Sequence, residues 1–393
     1  MKLTYKHTLL AGYVGYITQA IVNNLAPLLF IIFRDSFNIE LSKITLLITF
    51  NFFIQLGIDA FSSKFVDKIG YRRSIVTAHI FSAVGLILMG VLPFVLSNAF
   101  AGLIIAAVIY AIGGGLIEVL ISPIVEACPT DNKASAMSLL HSFYCWGSVA
   151  VIIVTTLLLN LLGKDKWYII AIGWALVPII NGFLFARVPI NTLDSNESVS
   201  DIRQLAKSKM FWLFMIIMIC AGASEQSMSQ WASALAESGL GVSKAVGDLA
   251  GPCMFSLLMG TARVINSKLN SKINLSGAMI CCGVLCAATY ILTALSPSAA
   301  LSLAGCAICG FSVGIMWPCA FSMASEHFKS GSTAMFAFLA LGGDLGCMAG
   351  PSLVGAIAGA SGDNLKAGLL MGIIFPVSLC LCCIVLRLKK AQS

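Results

Sequence analysis

Long apolar runs alternate with short polar segments along almost the whole chain. A bilayer core about 30 Å thick needs roughly 20 helical residues to cross it, so runs of that length indicate membrane-spanning helices. Twelve such runs are bounded by charged residues or by clusters of proline, glycine, asparagine and serine. They predict spans at 8–33, 43–63, 74–96, 100–126, 134–162, 167–187, 209–235, 243–266, 274–295, 298–325, 332–360 and 365–388.

The residues between the sixth and seventh runs form the one long hydrophilic stretch of the sequence. They divide the chain into an N-terminal six-helix bundle at 1–190, a cytoplasmic linker at 191–208 and a C-terminal six-helix bundle at 209–393. We therefore predict an all-α membrane protein of twelve transmembrane helices in two pseudo-symmetric bundles.

An internal repeat supports this division. Residues recur at offsets of 195 to 200, about half the chain length, as expected for two parallel repeats. The recurring residues are Gly113, Pro123 and Glu126 in the fourth run and Gly310, Pro318 and Glu326 in the tenth.

The composition excludes a water-soluble fold. Of the 393 residues, 59% are hydrophobic and 10% are charged, and the mean hydropathy is +0.94. A soluble domain has about 25% charged residues. The 14 cysteines lie mostly in apolar runs without metal-ligand spacing, so we expect reduced thiols, no metal site and no resident cofactor.

The net charge of +7 indicates orientation rather than nucleic-acid binding. With both termini and the linker on one side, 18 of the 24 Lys and Arg residues lie there, Arg263 among them, and 6 lie opposite, Lys244 among them. Cytoplasmic loops carry such an excess, so we expect both termini inside a plasma membrane. The first run is expected to be a retained helix rather than a signal peptide.

The loop after the second run contains Asp67, Gly70, Arg72 and Arg73. This segment resembles the signature between spans two and three of the major facilitator superfamily. The resemblance implies a transporter of two six-helix halves that rock about a central cavity. Because charges at helix ends can pair in one conformation and separate in another, we expect Asp67, Arg72 and Arg73 to act in gating.

Within that superfamily, several short segments resemble the fucose:proton symporter branch with its sodium-glucose-transporter-like relatives. They are Asn23-Asn24-Leu25, Gly113 to Glu118, Leu139 to Tyr144, and Gly222-x-x-Glu225 with Trp231. Where that branch has an acidic residue soon after the asparagine pair, this chain has Ala26-Pro27. The resemblance implies a monosaccharide as the substrate.

Three carboxylates lie well inside predicted spans: Glu118, Glu225 and Asp344. A charge at the centre of a membrane helix costs about 2.5–3.5 kcal/mol on insertion scales, so each needs a partner or a water-filled cavity. We predict that these three residues couple transport to H⁺ or Na⁺. For Glu118 and Asp344, a purely structural hydrogen bond is the alternative.

Amides, carboxylates, an imidazole and indoles on the same spans suit a sugar. Polar groups bind hydroxyls, and an aromatic face stacks on the C–H face of the ring. The candidate substrate-binding residues are Gln19, Asn23, Asn24, Glu118, His141, Trp146, Glu225, Gln226, Trp231 and Trp317. Packing or interfacial anchoring is the alternative for His141 and for the single tryptophans.

These patterns predict a monomeric, ion-coupled secondary active transporter of a small polar solute, working by alternating access. A drug or metabolite exporter of the same fold is the alternative, and a membrane enzyme using His141 and Glu118 as an acid–base pair is a more distant one. We expect the lipid bilayer and the solute to be its partners.

Overall fold

The computed structural model describes residues 3–129, 133–191, 207–269, 274–328 and 333–392. All regular secondary structure in these residues is helical. Within them, 12 helices are long and apolar enough to cross a membrane, and we number them spans 1 to 12. The structure therefore confirms the predicted fold class.

The spans of the N-terminal half agree with the predicted positions to within six residues. Span 1 extends three residues further at its start and four at its end than the apolar run predicts, and span 6 is interrupted at Ala175. The helices are Tyr5–Phe37, Leu41–Ile69, Tyr71–Val95, Ala99–Glu126, Lys133–Leu162, and Trp167–Trp174 with Leu176–Arg187 for span 6.

The spans of the C-terminal half contain more interruptions. Span 7 ends in a wide π-helical turn, span 8 contains another, and span 10 breaks at Gly314 and Ile315. The helices are Lys209–Ala234 with Leu235–Gly239, then Lys244–Asp248, Leu249–Cys253 and Met254–Leu269 for span 8, Leu275–Leu295, Ala299–Val313 with Met316–His327, Thr333–Ala360, and Leu365–Gly372 with Ile374–Gln392.

The chain divides into two compact units, Met1–Asp194 and Ser195–Ser393. Inside the first unit, span 1 packs against spans 4 and 5, and span 3 packs against spans 4 and 6. Inside the second unit, span 7 packs against spans 10 and 11, and span 9 packs against spans 10 and 12. The two units thus use the same neighbour pairs, as a duplicated six-helix unit would.

The contacts of the glycines in spans 4 and 10 contradict one pairing of the predicted repeat. A side chain at Gly310 would meet the backbone of Phe255 on span 8, whereas one at Gly113 would meet Ser82 on span 3. Gly115 is the glycine that faces span 2, the counterpart of span 8. Pairing Gly113 with Gly310 was therefore wrong, because a common offset does not ensure that two residues occupy the same helix face.

Spans 4 and 10 differ in how their N-termini are capped. The Asn98 side chain caps span 4 by accepting a hydrogen bond from Ala101 N at 3.2 Å. Ser298 has the equivalent position before span 10 but makes no side-chain cap bond. A side-chain cap therefore satisfies one backbone N–H donor in the first turn of span 4. The N-cap residue of span 10 does not do this for its helix.

Candidate functional site

Spans 1, 2 and 4 bring four amides and one carboxylate into a hydrogen-bonded group, which we call the amide cluster. Its members are Gln19 and Asn23 on span 1, Asn51 and Gln55 on span 2, and Glu118 on span 4. Gln19 Nε2 donates to Glu118 Oε2 at 2.9 Å and to Gln55 Oε1 at 2.8 Å. Gln55 Nε2 donates to Asn23 Oδ1 at 2.9 Å and to Asn51 Oδ1 at 3.0 Å. Asn51 Nδ2 also donates to Asn23 Oδ1, at 3.2 Å.

The amide cluster fixes the orientation of Gln19. Two acceptor atoms, Gln55 Oε1 and Glu118 Oε2, lie at one side of the Gln19 amide. The donor nitrogen Nε2 of Gln19 must therefore face them, and its oxygen must face away. Its oxygen Oε1 is then buried without a hydrogen-bond partner among the described residues, and Gln19 is 2% exposed. A buried acceptor in this state costs about 1–3 kcal/mol, so a donor group from a bound ligand would fit here.

Gly114 makes room for the amide cluster. A β-carbon at this position on span 4 would lie 3.1 Å from Gln19 Oε1 and 2.9 Å from Val22 Cγ1. It would also lie 3.5 Å from Gln55 Cδ. Side chains of spans 1 and 2 fill the space that the missing side chain leaves.

Other predicted residues of the N-terminal half lie on spans 1 and 5. Asn24 Nδ2 donates to Ser148 Oγ at 3.1 Å, which ties span 1 to span 5. His141 is exposed and meets the edge of the Tyr16 ring, with 5.4 Å between the ring centroids. Trp146 is 41% exposed. Their predicted roles in substrate binding stay predictions.

The predicted gating residues lie at the end of span 2 and the start of span 3 rather than in a loop. Arg72 Nη1 donates to the carbonyl oxygens of Phe185 at 3.0 Å and Ala186 at 2.9 Å, at the end of span 6. This arginine therefore neutralises the negative end of that helix and satisfies two of its last carbonyls. Arg73 is exposed, and the side chain of Asp67 lies outside the described residues.

In the C-terminal half, Glu225 on span 7 is paired with Arg263 on span 8. Arg263 Nη2 lies 3.4 Å from Glu225 Oε2, and the two side chains are 19% and 6% exposed. Gln226 Nε2 donates to Glu225 Oε1 at 3.2 Å, and Gln230 Nε2 donates to Gln226 Oε1 at 3.0 Å. The carboxylate thus receives donors on both oxygens, as an ionised Glu225 requires.

Arg263 is a site residue that the sequence did not reveal. The charge count used it only as a residue of the cytoplasmic side, near the end of the predicted span 243–266, and the structure has it in the membrane-spanning segment Lys244–Asn266. Its Nε also donates to Gly314 O at 3.4 Å, at the break in span 10. Arg263 lies three residues from the end of an apolar run, and charged residues at such ends usually extend to the membrane surface. Its position therefore gave no indication of a buried role.

The remaining predicted residues of this half lie on spans 7, 10 and 11. Trp231 is fully buried, and its Nε1 donates to Pro351 O at 2.9 Å. The Trp317 ring packs over Gly343, and its Nε1 has no hydrogen-bond partner among the described residues. Asp344 follows this glycine on span 11 and is 8% exposed.

A second buried charge group, the lysine cluster, was also missed. Lys244 Nζ lies 3.0 Å from Asp248 Oδ2, 3.2 Å from Ser233 Oγ and 3.9 Å from Glu237 Oε2. Lys244 is 7% exposed, although a lysine at the start of a predicted span usually extends to the membrane surface. Its side chain instead joins span 7 to span 8, because both carboxylates lie close to the turn between these spans.

Sequence comparison gives two matches. The profile of the Major Facilitator Superfamily matches residues 9–351. The membrane protein MosC of Rhizobium meliloti is 23% identical over 256 residues, which cover 65% of this chain and 61% of that protein.

Solved structures with the same fold cover nearly the whole chain. A variant of the E. coli fucose:proton symporter FucP has a TM-score of 0.66 at 14% identity, with 96% of this chain and 98% of that chain covered. A variant of the nucleoside transporter NupG has a TM-score of 0.75 at 13% identity, with the same coverage. At these identities the matches establish the fold.

Proposed function

Because the chain belongs to the major facilitator superfamily, a family of transporters, we propose that it is an ion-coupled secondary active transporter of a monosaccharide. The coupling ion is H⁺ or Na⁺. The two halves give alternating access to the solute, as parallel repeats do in this kind of fold.

The hydrogen bond from Gln19 to Glu118 carries the proposal. It places an ionisable group at the end of a chain of neutral amides inside membrane-spanning helices. Such residues in membrane helices typically mark ion and substrate pathways. Glu118 is the one formal charge in the amide cluster, so binding of a cation there changes the charge of the whole cluster.

The chemistry of the amide cluster supports a hydroxylated solute. Gln19 Oε1 needs a donor, and a sugar hydroxyl can donate to it while accepting from another group. FucP, which shares the fold, is a fucose:proton symporter. Glu225, Gln226, Trp317 and Asp344 remain proposed contributors from the C-terminal half.

The orientation is also a proposal. The excess of Lys and Arg on the side of the termini and linker supports cytoplasmic termini in a plasma membrane. Arg72, held at the end of span 6, is proposed to change partners as the cytoplasmic side opens and closes.

The decisive experiment replaces Glu118 by Gln and measures transport of radiolabelled monosaccharides in proteoliposomes. The amide keeps the acceptor for Gln19 but removes the charge, so we expect exchange of solute to persist. Accumulation against a gradient should vanish, because a carrier without a coupled ion reaches only equal concentrations. Imposing an H⁺ or a Na⁺ gradient on the unaltered protein identifies the ion.

Glu126→Gln is the matched control, because Glu126 is an exposed residue at the end of the same helix. It should accumulate solute normally. Unchanged uphill uptake by Glu118→Gln would overturn the coupling assignment. Lack of any sugar exchange, together with export of lipophilic cations, would instead establish the exporter alternative.

A further inference from the structure

Spans 1 and 4 contact each other through two polar pairs that lie one helical turn apart. Gln19 pairs with Glu118 in the amide cluster, and the Tyr16 hydroxyl lies 3.0 Å from Ser122 Oγ. Tyr16 precedes Gln19 by three residues, and Ser122 follows Glu118 by four, so the second pair continues the same helix faces. It lies towards the start of span 1 and the end of span 4, the side that we propose to be cytoplasmic.

Beyond the second pair, spans 1 and 4 pack directly against each other through apolar groups. A β-carbon at Gly12 would lie 2.6 Å from Val125 Cγ2 and 3.6 Å from Ile121 Cγ2. Gly12 and Val125 are one further turn along the same two helix faces. Contacts this close leave no room for water between the helices at this level. A proton that Glu118 releases therefore has no polar route to the surface between spans 1 and 4.

Span 5 supplies a polar group beside the second pair. The imidazole of His141 lies at right angles to the Tyr16 ring, with 5.4 Å between the ring centroids. Tyr16 is 7% exposed, whereas His141 is exposed and is the third residue of the membrane-spanning segment Leu139–Leu162. This contact therefore connects a buried tyrosine to an imidazole near the proposed cytoplasmic surface.

We propose that Tyr16, Ser122 and His141 form a relay that carries a proton from Glu118 to the cytoplasmic side, so that H⁺ is the coupling ion. This inference rests on the proposed function. Chains of acidic residues and histidines serve as proton relays in membrane pumps and transporters. A hydroxyl group donates and accepts hydrogen bonds, and a neutral imidazole has one donor and one acceptor nitrogen. Each group can therefore receive one proton and pass on another.

The transfer breaks and forms only O–H and N–H bonds. The protonated Glu118, whose carboxyl group has the Asp59 carboxylate within 4.8 Å, gives its proton through one bridging water to Ser122 and Tyr16. Each hydroxyl passes on one proton for each that it receives. His141 accepts the proton and releases one to water, which leaves Glu118 as a carboxylate and the other groups unchanged. Na⁺ cannot use this route, because the ion itself would have to move past the packed side chains.

The test compares two modes of transport in proteoliposomes, with radiolabelled L-fucose, D-glucose and D-galactose as probes. Exchange of labelled for unlabelled sugar needs no proton release, because the carrier returns loaded. Net uptake driven by an imposed H⁺ gradient needs one release in every cycle. Tyr16→Phe keeps the ring and removes the hydroxyl, so we expect unchanged exchange. Net uptake should slow about a hundredfold, the lower end of what a positioned proton-transfer group contributes.

The other members of the relay should show the same difference between the two modes. Ser122→Ala and His141→Gln should slow net uptake and spare exchange, whereas Ser122→Thr keeps a hydroxyl and should retain net uptake. Tyr13→Phe is the matched control, because Tyr13 lies one turn before Tyr16 on span 1 and its ring stacks on Phe143 at 4.7 Å, outside the relay. Both modes should be unchanged in this control.

A tyrosine that only holds the spans together predicts a different result. In that case Tyr16→Phe would slow exchange and net uptake equally, or would change neither, and either result would overturn the relay. Uptake by the unaltered protein that follows a Na⁺ gradient and ignores an H⁺ gradient would also overturn it, while ion-coupled sugar transport would stand. Failure of the unaltered protein to exchange any of the sugars would overturn both.

Discussion

The two halves of the molecule hold polar side chains among apolar helices in different ways. In the N-terminal half, Gln19, Gln55 and their neighbours are neutral amides, and Glu118 is the one charge in their cluster. In the C-terminal half, two buried carboxylates are paired with cations: Glu225 with Arg263, and Asp248 with Lys244.

The two groups therefore differ in how a bound cation would change their charge. Glu118 accepts from the neutral amide of Gln19, and the Asp59 carboxylate lies within 4.8 Å of it, so a cation bound there would lower the negative charge of this site. A cation at Glu225 would have to compete with Arg263, which already lies 3.4 Å from the carboxylate. The proposed ion coupling therefore concerns Glu118, whereas the charge of Glu225 is already balanced by Arg263 in this structure.

The largest stability effect is expected in the charged half, at Lys244. Lys244→Met should lower the free energy of unfolding by about 3–5 kcal/mol, because Asp248 would remain buried without its cation. The measurement is the melting temperature of the purified protein in detergent. Adding Asp248→Asn should recover most of the loss, and a double variant as unstable as the single one would show that the pair does not act as a unit.

A smaller effect is expected in the amide cluster, at Gly114. Gly114→Ala places a β-carbon 3.1 Å from Gln19 Oε1 and 2.9 Å from Val22 Cγ1, so it should cost about 1–3 kcal/mol and reduce ion-coupled uptake. Gly57→Ala on span 2 is the control, because a β-carbon there meets nothing within 4 Å. If both variants behaved alike, close packing at Gly114 would not support the site.

The smallest effect distinguishes the starts of spans 4 and 10. Asn98→Ala removes a cap bond to Ala101 N and should cost about 1 kcal/mol. Ser298→Ala removes no side-chain cap bond and should change stability by about 0.5 kcal/mol or less. Equal shifts in melting temperature would mean that the two equivalent helix starts are stabilised in the same way.

Much of the fold was predictable from the apolar runs, because a bilayer requires a minimum length of nonpolar helix. The amide cluster was partly predictable: the sequence selected Gln19, Asn23 and Glu118, since polar residues are conspicuous in apolar runs. It missed Asn51 and Gln55, because the apolar run that contains them predicts a membrane span from its hydrophobicity alone.

The buried cations of the C-terminal half could not be predicted from the apolar runs. Arg263 and Lys244 lie near the ends of their apolar runs, where a charged residue normally reaches headgroup water. Whether such a side chain extends outward or turns inward depends on which carboxylate a neighbouring helix presents.

The sequence by itself determined the membrane as the solvent, the number of spans and the presence of carboxylates within them, because these depend on length and composition along one chain. Only the tertiary structure decided that Glu118 accepts from the amide of Gln19 while Glu225 is paired with an arginine. The partner of a buried charge is set by side chains far away in sequence, and packing of the helices brings them to within hydrogen-bond distance.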